Sequence, residues 1–259
     1  MGLPGVLSRR AVGWAGFYGL VLVAWVALWA MGQDRAALSG AYGLALLADL
    51  CGADAGALGF GALYAMWAVM SVAMMAPTAV PAVLTWTRLP GTASGGVTGT
   101  AVLVAGYLAV WLGASAVFAG VQGGLVARGL LDQGGVSQSR VLTAGLFALA
   151  GAYQFSRLKG ACLSRCRMPL TFFMERWRPG LSGAFAAGLR LGLVCLGCCW
   201  ALMALAFVGG MTNLLWMGLA TALMVMEKLP VLGRPLTRSL GWVLLAAAGV
   251  TGLLTLGGM

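Results

Sequence analysis

Long apolar runs, separated by short basic or glycine-rich segments, dominate the chain. They fall at about 11–31, 57–85, 98–122, 141–156, 191–210, 212–229 and 239–257. A helix needs ~20 mostly apolar residues to cross a bilayer core. The pattern therefore predicts an all-α polytopic membrane protein, a bundle of about seven transmembrane helices, with six as the fallback. The fourth and sixth runs are short and are expected to borrow flanking residues. The second carries Pro77 and Pro81; each proline removes a helix hydrogen bond, so a kink or an end is expected there. The segment "AYGLALLADL" at 41–50 is too short and too acidic to span and is expected at the surface. The first run follows Arg9 and Arg10 as a signal peptide would. Its apolar core exceeds the ~7–15 residues of a secretory signal, so it reads as a retained anchor.

Composition strengthens this reading. Of 259 residues, 61% are hydrophobic and only 8% charged, against roughly 25% charged in a soluble domain. The 41 glycines suit close helix approach in a bilayer. A single integral membrane domain is expected over 1–259, in the bacterial cytoplasmic membrane.

The net charge of +10 does not indicate nucleic acid, because the basic residues do not cluster with stacking aromatics. They lie between apolar runs and act as topology signals. With the N-terminus inside, the cytoplasmic side receives Arg9, Arg10, Arg88, Arg157, Lys159, Arg165, Arg167, Arg176, Arg178, Arg190, Lys228, Arg234 and Arg238. The outer side receives only Arg35, Arg128 and Arg140. That asymmetry fixes the orientation under the positive-inside rule.

Orientation gives the cysteines a meaning. "CLGCCWALM" at 195–203 brings three thiols into an apolar run, in a chain without histidine. Counted from Arg190 at ~1.5 Å per residue, Cys195 lies about 8 Å and Cys199 about 14 Å into the membrane, in the inner half. Cys162 and Cys166, in the basic segment "KGACLSRCRMP", are cytoplasmic as well. All but Cys51 thus face the reducing side, where stable disulfides do not accumulate. Cys51, outside with no partner nearby, reads as structural.

At ~100° per residue, Cys195, Cys198 and Cys199 share an arc of roughly 100° on one helix face. Cys162 and Cys166 share a face if their segment is helical. "MWAVMSVAMMAP" sets Met66, Met70 and Met74 in one stripe with Met75 beside it. The sixth run has one sided face of Asn213, Trp216, Met217, Met224, Glu227 and Lys228. Polar groups in a span normally face the bundle interior, so three helices offer sulfur-lined faces that can meet near the inner leaflet. Thiolates and thioethers select Cu(I) and related soft ions. Four thiolates also hold zinc, although structural zinc usually takes its ligands from loops. Packing competes with ligation for each Cys and Met taken singly, and Glu227 and Lys228 at the boundary can simply snorkel.

The segments "MWAVMSVAMMAPTAVP" (66–81), "GAYQFSRLKGACLSRCRMP" (151–169), "WRPG" (177–180) and "CLGCCWALMALAFVGGMTNLLWM" (195–217), with "EK" at 227–228, resemble a bacterial domain-of-unknown-function family. Its members are described as predicted metal-binding integral membrane proteins. The resemblance covers roughly 60–230. It implies Met70, Met74 and Met75, Cys162 and Cys166, and Cys195, Cys198 and Cys199 as ligand candidates. One departure stands out: members often carry a histidine before the first cysteine, where this chain has Leu191. A mixed His/Cys site is therefore excluded, leaving an all-sulfur site or a copy without metal.

The absent histidines also exclude His-ligated haem and ordinary His general-base catalysis. The acids Asp34, Asp49, Asp54, Asp132, Glu175 and Glu227 are scattered and form no catalytic pair, and no P-loop is present. The expectation is a Cu(I)-handling or transport protein working with the bilayer and with a metallochaperone or membrane-complex partner. Two rivals are an accessory subunit of a membrane complex and a thiol oxidoreductase using the Cys195–Cys198 C-x-x-C spacing.

Overall fold

The computed structural model describes residues 3–31, 59–89, 96–132, 134–175, 178–211 and 213–256. The surface segment at 41–50, Cys51, Asp34, Asp49, Asp54, Arg35 and Arg176 lie outside the described residues. Among the described residues the chain is all-α. The helices are α1 (Leu3–Met31), α2 (Phe60–Arg88), α3 (Gly96–Ala127), α4 (Arg140–Gln154), α5 (Arg157–Arg167), α6 (Pro169–Met174), α7 (Gly180–Ala204), α8 (Ala206–Gly209), α9 (Leu214–Glu227) and α10 (Gly233–Leu256). Five stretches are long and apolar enough to cross a membrane: Ala11–Ala30, Phe60–Arg88, Gly96–Ala127, Gly180–Gly209 and Gly233–Thr255. Their outward faces carry residues such as Leu22, Val117, Trp242 and Leu253, each about two-thirds exposed. Apolar exteriors of this extent suit lipid rather than water.

The two short runs stay short. Ser139 caps α4 by accepting from Leu142 N, and Ser156 caps the next helix by accepting from Lys159 N. These caps confine α4 to 15 residues, about 22 Å. Asn213 caps α9 and Lys228 ends it after 14 residues, about 21 Å. Neither reaches the ~30 Å of a hydrocarbon core by itself.

The second run does not break at its prolines; α2 continues through both to Arg88. Pro77 has no N–H for the carbonyl of Ala73, and Trp25 Nε1 of α1 donates to that oxygen instead, at 3.1 Å. A partner helix thus satisfies the group the proline abandons.

Helix directions follow from contacts. Trp67 meets Gln122, Ser71 meets Ser115 and Thr78 meets Tyr107, so α2 and α3 are antiparallel. Helices α3 and α7 run parallel, backbone against backbone. A Cβ on Gly188 would strike the carbonyl of Leu103, one on Gly106 the carbonyl of Phe185, and one on Gly192 the side chain of Val110. Between two parallel helices the chain has to return across the bundle, and α4 begins that return. It lies antiparallel to α10, with Arg140 bonded to Leu254 O and Gly151 packed on Leu245.

Candidate metal centre

Helix α7 begins at Gly180, eleven residues before the apolar run that announced it. Cys195 therefore lies about 22 Å along the helix, midway rather than near its inner end. The start of this helix, expected near 191, is thereby corrected to Gly180. "GLSGAFAAGLR" reads weakly as membrane because it is rich in glycine and carries an arginine, yet its glycines are what let α7 seat against α3.

Cys195, Cys198 and Cys199 are each 1% exposed, and their Sγ atoms all lie within 4.8 Å of one another. Cys198 and Cys199 are 3.3 Å apart at sulfur, and Cys198 Sγ donates to Cys195 O. A metal–thiolate bond of about 2.3 Å places sulfurs around one ion roughly 4 Å apart. The observed spacing matches that requirement with little adjustment.

Three further helices close on Cys195. Tyr107 of α3 brings its hydroxyl to 3.1 Å of the sulfur and donates to Met75 O at 2.9 Å. Thr78 of α2 lies 3.8 Å from the same sulfur. Lys228, just past α9, donates to Cys195 Sγ at 3.0 Å and to Thr78 Oγ1 at 2.7 Å. A cleft of about 10 Å³ adjoins Cys195, Cys166, Lys228, Thr78, Tyr107 and Pro81. The far larger crevice between α1, α2 and α3, about 930 Å³, has no sulfur among its lining residues.

The basic segment around Cys162 and Cys166 is a helix, α5, and it packs against α7. Its inner face is Lys159, Cys162, Leu163, Cys166 and Arg167; Arg157, Leu158, Ala161 and Arg165 are exposed. The two cysteines part company here. Cys166 Sγ approaches Cys198 Sγ to 4.0 Å, whereas Cys162 Sγ rests against Gly197, where any Cβ would collide with it. Burial pushes the Cys162 thiol above its ordinary pKa, with Arg165 opposing. The five described cysteines are all free.

Beneath the thiols lies a buried ion pair. Lys159 Nζ donates to Glu227 Oε2 at 2.8 Å, both side chains 1% exposed. Arg167 closes the C-terminus of α9, its Nε and Nη2 donating to Glu227 O at 2.9 and 2.8 Å. A guanidinium on a terminal carbonyl also complements the helix dipole.

Met70, Met74 and Met75 are fully buried in the same core as the cysteines, and Met75 reaches the site through its carbonyl. Asn213 stands apart, exposed at the opposite end of α9, where its Oδ1 accepts from Trp216 N. Lys159, Arg167, Thr78 and Tyr107 entered the sequence reading as topology charges or not at all. Helical spacing offered one clue: Lys159, Cys162 and Cys166 recur at three and four residues, a one-faced pattern. A lone hydroxyl in an apolar run, as at Tyr107, carries no such signal.

A helical bundle that buries three convergent thiols, with a partly exposed fourth 4.0 Å away and an ammonium at their edge, belongs to the class of proteins able to hold a soft metal ion. Residues 64–251 match the model of a family described as PpoB2, copper chaperone. This chain belongs to that family. The match begins in α2 and ends in α10, so every residue of the thiol site falls within it. No curated protein and no solved structure matches the chain.

Proposed function

We propose that this protein binds one Cu(I) ion inside the cytoplasmic membrane and passes it to or from a partner at the cytoplasmic face. Cys195, Cys198 and Cys199 are the primary ligands. Cys166 is the exchange ligand, because it is partly exposed and its sulfur is already 4.0 Å from that of Cys198. Cys162 backs Gly197 and serves α5 packing more than exchange. Met70, Met74 and Met75 supply thioethers outward of the thiol layer, where looser binding suits onward movement. Copper here is cargo, so no reaction is assigned. The acceptor or donor is a soluble metallochaperone or a membrane complex.

In the bilayer the N-terminus is inside, five helices span fully, and two shorter helices carry the chain back between them. The short α4 and α9 make incomplete crossings, and α5 with its buried ion pair fills the space beneath them. The observation that carries this reading is the triad of mutually adjacent buried sulfurs in a member of a copper chaperone family.

Anaerobic purification of the full chain in detergent, followed by copper analysis, tests it. One copper per chain is expected, lost when the three cysteines become serine. Substoichiometric copper indifferent to those changes ends the reading. A thiol-exchange role is the second reading, favoured by the Cys166–Cys198 approach. It requires these two thiols to form a bond on oxidation, and maleimide counting before and after a thiol oxidant decides it.

A further inference from the structure

Lys228 brings a charge to the thiol site that copper ligation does not require. It is 8% exposed, and its ammonium touches a sulfur and a hydroxyl, Cys195 Sγ at 3.0 Å and Thr78 Oγ1 at 2.7 Å. The neighbouring cations are otherwise engaged: Lys159 is paired with Glu227, and Arg167 holds the last carbonyl of α9. Among the described residues, no carboxylate lies within salt-bridge distance of Lys228. A buried ammonium without a carboxylate is costly, and methionine or leucine would fill the space more cheaply.

We propose that Lys228 sets the charge selectivity of the thiol site, admitting a monovalent soft ion and disfavouring a divalent one. This deepens the copper reading of the same site and depends on it. Sulfur softness alone does not separate Cu(I) from Zn(II), since thiolates hold both. Charge does. A metal bonded to Cys195 Sγ lies within about 5 Å of the ammonium, given a metal–sulfur bond of about 2.3 Å. Repulsion there scales with the charge of the ion, and one extra unit at an effective dielectric of about 20 changes a binding constant by roughly a hundredfold. Both metals bind the same Cys195 thiolate, so any effect of the ammonium on that thiolate cancels in their ratio. Thr78 gives the ammonium a second anchor, so it stays beside the site when a metal takes the sulfur lone pair.

The test uses the full chain in detergent without oxygen, with Cu(I) and Zn(II) affinities each measured against a chromophoric chelator. Lys228→Met and Lys228→Gln are expected to lower the Cu(I)/Zn(II) affinity ratio by about thirtyfold or more, and Lys228→Arg to hold it within about threefold, as a fixed-charge effect requires. A ratio unmoved in the neutral variants overturns the proposal, as does an arginine variant that falls with them. If both neutral variants fail to fold while the arginine variant folds, the charge is structural and the proposal is equally overturned. Wild-type protein that takes up no Cu(I) is a different result: it removes the copper reading, and this inference with it.

Discussion

Two layers of the interior, eleven residues apart along α2 and so about 16 Å, handle buried polarity in opposite ways. At Trp67, the indole donates to Gln122 Oε1 at 2.8 Å, between Phe118 stacked at 4.6 Å and Phe207 edge-on at 5.4 Å. Polar atoms are sealed there by rings, with no charge. At Thr78, sulfurs, a phenol and an ammonium from separate helices converge beside a cleft. Both layers are buried, so burial does not distinguish them. Convergence of one ligand chemistry, together with a cation lacking a carboxylate, does. The first layer has the contacts of packing, and the second has the donor set of the proposed metal site.

Substitutions in and around the two layers separate their roles. The largest effect is expected from replacing Cys195, Cys198 and Cys199 together with serine, which should abolish copper binding in the thiol layer and leave the Trp67 layer unchanged by tryptophan fluorescence. Next, Glu227→Gln leaves the Lys159 ammonium buried without its carboxylate. A loss of about 3–5 kcal/mol is expected, read by thermal or denaturant unfolding in detergent. Retained stability would show that the pair is dispensable. Smaller again is Gln122→Leu, which strands Trp67 Nε1 and should cost about 1–2 kcal/mol with copper affinity intact. A fall in copper affinity there would mean that the two layers are coupled.

The smallest effect concerns α5. Cys162→Ala should barely alter copper uptake, while Cys166→Ala should slow transfer to an acceptor thiol. Because burial raises the Cys162 pKa, its thiol stays protonated at neutral pH. Its alkylation by maleimide should be slow at pH 7 and accelerate only as pH climbs past the ordinary thiol range of about 8.5. Rapid alkylation of Cys162 at pH 7 would contradict the burial that raises its pKa.

Much of this was legible in the chain because helical periodicity carries it. The cysteine triad shares a face by spacing alone, and the inward face of α9 at Met217, Met224 and Glu227 follows the same rule. What escaped has physical causes. The first eleven residues of α7 escaped because hydropathy penalises glycine and arginine, although glycine is what close packing demands. Serine caps hold α4 to 15 residues, a limit that apolar content does not express. Lys159 reads as a topology signal because a charge shows no partner in sequence; Glu227 lies 68 residues away. Asn213 sits on the polar stripe of α9 but works as its cap, since a stripe does not say which end of a helix is occupied.

The glycine seam between α3 and α7 has a consequence for the sulfurs it never touches. Gly188 and Gly192 key α7 into one azimuth, since no side chain fits on that side. A slip of a single residue would turn the helix by about 100° and swing the triad out of its common pocket. The seam therefore acts as an alignment pin, and enlarging Gly188 should present as a metal-binding defect in a protein whose cysteines are all intact.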